Sequence, residues 1–155
     1  MTITDAIERQ VIFKSTRAEL WAALTTPEGL AGWWCDGAEL DLRPGGAISI
    51  DFGPEHGVSH GTILAVEPET LFVTTWRPFE GDADAAQVPP DITTRIEFRL
   101  EDHPHGTRLT VRESGFSALP AALAQRTYRG NEYGWDVVLT WLRHYLNTGE
   151  KSRLP

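Results

Sequence analysis

The chain has a single cysteine, Cys35, so no disulfide can form within it and nothing in it calls for an oxidising compartment. Basic residues are scarce: 14 Lys and Arg stand against 22 Asp and Glu, a net charge of −8. A phosphate-backbone binder needs a basic face, which excludes nucleic acid as the expected partner. An anionic membrane surface is excluded on the same ground. The charge reads most simply as solubility. No apolar run approaches the roughly 20 residues that span a bilayer. The opening MTITDAIERQ lacks a basic start followed by an apolar run, so no signal peptide is expected and the protein is placed in the cytoplasm. There is no G-x-S-x-G nucleophile elbow, and Gly45-Gly46 is followed by neither a lysine nor a helix start that would make a phosphate cradle.

What is present is 155 residues, 41% of them hydrophobic, enough to fill the core of one domain over residues 1–155. The strongest periodic signal is near the C-terminus. Trp135, Val138, Leu139, Leu142 and Leu146 share one helical face, with Asp136, Thr140, Arg143 and Asn147 opposite. Pro120 suits a first-turn position, and a helix from there to Leu146 is about 40 Å long.

Upstream, Ile7–Lys14 reads as a strand. Thr16 and Glu19 form a capping box, and Thr26-Pro27 starts a second short helix bearing Leu30, Trp33 and Trp34. Strands follow around Leu40–Leu42, Ile48–Phe52, Ser59–Glu67, Thr70–Arg77, Arg95–Glu101 and Thr107–Glu113. Clean alternation in the last two predicts an antiparallel sheet with one wet face. Phe79–Asp91, acidic and rich in proline and alanine, reads as a long mobile loop over one end of that sheet. The tail Gly149–Pro155 is expected to fray. The class is α+β.

Few residues carry a chemical signal. His103 and His105 flank a turn beside Asp102, and a solvated turn explains them better than a metal, which needs three or four converging ligands. His56 and His60 lie at a glycine-rich loop, where exposure is the safer reading and a pocket mouth the alternative. Asp82 and Asp84 in EGDAD lack the glycine and glutamate spacing of a calcium loop. Cys35 has no neighbouring cation to lower its pKa. No metal, cofactor or catalytic residue is therefore expected. Glu113 keeps the phase of Leu109 and Val111 and points to the helix side. It is either wet at the sheet edge, the commoner fate of a glutamate, or buried with a partner and a raised pKa.

In this order the motifs resemble one family. Thr16–Trp34, the Gly45-Gly46 turn, Gly61, Leu71–Trp76, Gly106–Val111, Gly115-Phe116 and Gly134-Trp135 are similar to proteins of the activator-of-heat-shock-protein-ATPase-homologue (AHSA-like) family, in the START-like, or SRPBCC, superfamily. The resemblance spans about Ile7 to Leu146. It implies a helix-grip fold: a curved antiparallel sheet of about six strands around the long C-terminal helix, with two short N-terminal helices. It also implies a cavity between sheet and helix that binds a hydrophobic or aromatic small molecule, in a stress- or natural-product-related role. Trp34, Phe52, Trp76, Phe98, Tyr133, Val138 and Trp141 are the expected walls, with Glu113 and His60 as polar contacts. The alternatives are a polyketide cyclase- or hydrolase-like enzyme using Glu113, and an interaction module for a chaperone or a second copy of the chain. Gly130 and Gly134 make a flat helix spot for close approach, with packing on the chain's own sheet the simpler account.

Overall fold

A computed structural model describes residues 5–80 and 82–151. The first strand, β1, runs Ala6–Phe13, followed by α1 (Arg17–Thr25) and α2 (Pro27–Trp33). Strands β2 (Gly37–Leu40), β3 (Ala47–Asp51), β4 (Val58–Glu67), β5 (Leu71–Trp76), β6 (Thr94–His103) and β7 (Gly106–Ser114) come next, and α3 (Ala121–Thr148) ends the chain. The seven strands form one sheet in the order β1-β7-β6-β5-β4-β3-β2, with every pair antiparallel. The helices α1, α2 and α3 pack together, and α3 also meets β1. This is the helix-grip arrangement; its seven strands match the seven stretches read as strands, one more than the family resemblance implies.

Local chemistry explains the element starts. The Thr16 side chain accepts from the Glu19 backbone and the Glu19 carboxylate accepts from the Thr16 backbone, so α1 opens on a complete capping box. Thr26 caps α2 with Pro27 in the first turn. Pro120 stands one residue before α3, at its N-cap. At the other end Gly149 adopts φ 74°, and its N–H bonds the Tyr145 carbonyl at 2.7 Å. The 28 residues of α3 make it about 42 Å long.

The core is where the periodicity places it. Ile96, Phe98 and Leu100 of β6 and Leu109 and Val111 of β7 are buried against Leu20, Leu24, Trp33, Trp135, Leu139 and Leu142. The Trp33 indole N–H donates to the Ala23 carbonyl at 2.9 Å, so its polar atom is satisfied where no water reaches. At Gly61 a Cβ would lie 2.0 Å from the Thr75 carbonyl oxygen, and only glycine lets β4 and β5 approach this closely.

Two expectations change. The strand placed at Leu40–Leu42 ends at Leu40, because the 41–46 segment turns on its own backbone bonds; Leu42 is exposed. The 78–92 segment is packed instead of loose, with Phe79, Ala85 and Val88 buried. Of the tail Gly149–Pro155 that was expected to fray, Gly149 and Glu150 bond back to Tyr145 and Thr148 through their N–H groups, and residues 152–155 lie outside the described residues, as do residues 1–4 and Gly81.

Candidate functional site

Three elements converge on a cleft of about 390 Å³: the end of α2, the β3–β5 side of the sheet, and the middle of α3. Trp34, at the C-terminal cap of α2, is the hub of its walls. Its ring lies 5.1–6.3 Å from those of Trp33, Phe52, Trp76, Phe98 and Trp135. Phe52 and Trp76 close one side, and Val138 and Trp141 of α3 the other. A smaller space of about 70 Å³ adjoins it, between Trp34, Trp76, Trp135 and Asn131.

On α3 the cleft face is Asn131, Gly134, Val138 and Trp141. The spacing i, i+3, i+7, i+10 is one helical stripe, lying beside the buried stripe of Trp135, Leu139 and Leu142. Gly134 shapes this face by what it omits, since a Cβ there would meet nothing within 4 Å. The same holds at Gly130, so neither glycine permits close packing on the sheet.

Glu113 lies behind the cleft and is fully buried. Its Oε1 accepts from Trp135 Nε1 at 2.8 Å and Asn131 Nδ2 at 2.8 Å. Its Oε2 accepts from Thr94 Oγ1 at 2.7 Å, Trp76 Nε1 at 2.8 Å and Asn131 Nδ2 at 3.1 Å. Every one of these partners is uncharged. Burial pushes the carboxyl above the usual carboxylate range, and the hydrogen bonds from Thr94, Trp135, Asn131 and Trp76 pull it back only in part.

Arg77 organises the rim. Its Nε donates to Glu80, Nη1 to the carbonyls of Pro89 and Ile92, and Nη2 to those of Ala85 and Val88. The guanidinium also lies 4.6 Å from the Phe79 ring centre. All five N–H groups of one side chain therefore hold the 78–92 segment. From the other side, Arg126 of α3 pairs with Asp82 and Asp84. The acids of EGDAD are thus ion-pair partners.

The nine expected site residues divide. Trp34, Phe52, Trp76, Val138 and Trp141 line the cleft. Phe98 is buried beneath it, against Trp34 and Trp135, and Glu113 is buried and not at the wet sheet edge. Two are corrected. Tyr133 is 75% exposed, because two residues before Trp135 is a turn of about 200° around the helix. His60 is on the outer sheet face opposite Ser49, where strand parity puts Ser59 inward and its successor outward. His56, for which a pocket mouth was the alternative to exposure, lines the cleft; Ser59, Arg77, Pro78, Glu80, Asn131 and Gly134 also line it and were not foreseen. The α3 stripe was a usable signal for Asn131 and Gly134; nothing local signals Arg77 or Glu80.

Elsewhere, the His103 and His105 rings lie 5.6 Å apart on their turn. Among the described residues no three His, Cys, Asp or Glu side chains group to hold a metal ion. Among them, too, no helix is long and apolar enough to cross a membrane.

A family model described as Activator of Hsp90 ATPase homolog 1-like protein matches residues 14–147. The chain belongs to that family. A search of curated proteins finds no match. Among solved structures, protein MLL2253 of Mesorhizobium loti is 27% identical, with a TM-score of 0.77, covering 92% of this chain and 96% of that one. DynU16, a protein of the dynemicin biosynthetic locus, is 24% identical with a TM-score of 0.77, and this chain, covered over 98% of its length, spans 51% of that one. The Aha1 dimer of Colwellia psychrerythraea is 21% identical with a TM-score of 0.70, covering 93% and 97% of the two chains. The last two likenesses are of fold alone.

Proposed function

We propose that this member of the Activator of Hsp90 ATPase homolog 1-like family is a cytoplasmic protein that binds a small apolar or aromatic molecule in the cleft between the sheet and α3. The observation that carries the reading is the cleft itself: about 390 Å³ with apolar and aromatic walls of Trp34, Phe52, Trp76, Val138 and Trp141, and with His56, Ser59, Arg77, Glu80 and Asn131 as its polar lining. Gly134 supports it. A glycine inside a helix costs roughly 0.5–1 kcal/mol relative to alanine, and here the missing side chain serves no packing contact, only open space. The origin of DynU16 in a biosynthetic locus agrees with a natural-product ligand.

Binding is favoured over a Glu113-catalysed cyclisation or hydrolysis by the geometry of the carboxylate. Both of its oxygens are held by protein donors and none of its surface is exposed, so it is not presented to a ligand as an acid or base. The Colwellia protein was solved as a dimer, which makes a second copy of this chain the alternative partner.

Native mass spectrometry of the purified protein, compared with its denatured mass, tests both readings in one spectrum. The expected result is an extra mass that leaves on denaturation and is absent from Gly134→Phe, whose ring fills the cleft. No extra mass, together with no tryptophan fluorescence response to a panel of apolar compounds, overturns the binding reading. A doubled mass favours the second copy.

A further inference from the structure

We propose that the ligand of this cleft is an organic cation, an ammonium or similarly charged group carried on an apolar or aromatic body. This rests on the cleft being a binding site, and three features of the structure point to the charge.

The first is a buried acidic group without a counter-ion. Glu113 is fully buried inside a ring of Trp76, Trp135, Asn131 and Thr94, and no cation among the described residues pairs with it. Three of the four partners approach through N–H groups, which can only donate. The ring therefore matches a carboxylate better than a carboxylic acid. Trp76 and Asn131 belong both to this ring and to the cleft wall, so the negative charge stands one side chain behind the ligand space. In a low-dielectric interior such a charge attracts a cation far more strongly than it would in water.

The second is the state of Arg77, the one Lys or Arg on the cleft wall among the described residues. Glu80 neutralises it, and four carbonyls take its remaining N–H groups. No donor of this guanidinium is left for a ligand carboxylate or phosphate, so the cleft has no anion site built on it.

The third is the wall itself. Trp34, Trp76 and Trp141 surround the space, and a cation over a tryptophan face is held by the ring quadrupole. The Trp76 indole N–H donates to the Glu113 carboxylate, which makes its ring richer in electrons and its face more attractive to positive charge. A cation in the cleft also offsets the cost of burying Glu113 unpaired.

Calorimetric titration at pH 8 with three probes of one shape tests this: phenyltrimethylammonium, the neutral isostere tert-butylbenzene, and benzenesulfonate. The cation is expected to bind at least tenfold tighter than the isostere, and the sulfonate weakest. Gly134→Phe, which leaves the ring around Glu113 in place, is expected to abolish cation binding. Glu113→Gln is expected to remove most of the preference; a folded Glu113→Gln protein that keeps it in full overturns the assignment of the charge to Glu113. If that variant does not fold, the wild-type comparison decides alone. Equal or tighter binding of tert-butylbenzene or benzenesulfonate overturns the cation and leaves the cleft standing as a site. No binding by any probe, with no bound mass on the purified protein, overturns the cleft and the cation together.

Discussion

Replacing Glu113 by glutamine exchanges a buried acid for an amide of nearly the same shape, and the consequences follow from its five hydrogen bonds. The new amide must turn its NH2 toward one of the two former oxygen positions. On the Oε1 side it meets the N–H of Trp135, and on the Oε2 side that of Trp76. Either choice leaves one buried indole donor without an acceptor, at about 1–3 kcal/mol. The wild type carries an opposing effect. Desolvation raises the Glu113 pKa, so the folded protein holds this proton more tightly than the unfolded chain does. Stability then falls as pH rises from the unfolded carboxylate value through the raised folded value, by up to about 1.4 kcal/mol per pH unit, and levels off above it. Glutamine does not titrate. Glu113→Gln is therefore expected to be about 1–3 kcal/mol less stable than wild type where the wild-type carboxyl is protonated, with the gap narrowing as pH rises and levelling off above the raised folded value. Urea unfolding of both proteins at pH 5, 6, 7 and 8 reads this directly, and all other titrating groups cancel in the difference. A gap that widens with pH refutes a raised Glu113.

Gly134→Ala is expected to stabilise the protein by about 0.5–1 kcal/mol, since the added Cβ meets nothing and the helix gains propensity; a lower melting temperature would show that the space is not open. Arg77→Gln removes most of the bonds that hold the 78–92 segment, so amide exchange there should quicken at least tenfold while β6 and β7 keep their protection; unchanged exchange would show that Phe79, Ala85 and Val88 suffice as anchors. Trp34→Ala removes the ring that touches five others and should cost about 3–5 kcal/mol in chemical denaturation, with a loss under 1 kcal/mol refuting its place as the hub.

Much of the architecture was legible because it depends on local periodicity. The 3.6-residue period around Trp135–Leu146 and the alternation of Ile96–Leu100 state which faces are apolar, and burial follows those faces. Caps at Thr16 and Thr26 are short-range chemistry and were readable from four residues each. The phase of Glu113 with Leu109 and Val111 was equally visible. Its fate was not, because a glutamate on an inward face is stable only if donors meet it, and those donors come from β5, β6 and α3, up to 37 residues away.

The same distance in sequence separates the other surprises from their causes. Arg77 turns an acidic, proline-rich stretch into a packed rim by collecting carbonyls up to 15 residues ahead, and composition does not encode such a gathering. His60 was judged by its neighbouring loop when strand parity governs where it points, and Tyr133 by its type when the helical angle does. By itself the sequence determined the order of the elements, their apolar faces and the long helix, since each follows from the spacing of neighbours along the chain. Only the tertiary structure decided that Trp34, Trp76, Asn131 and Gly134 share one cleft and that Glu113 lies enclosed behind it, because those outcomes depend on how elements far apart in the chain meet.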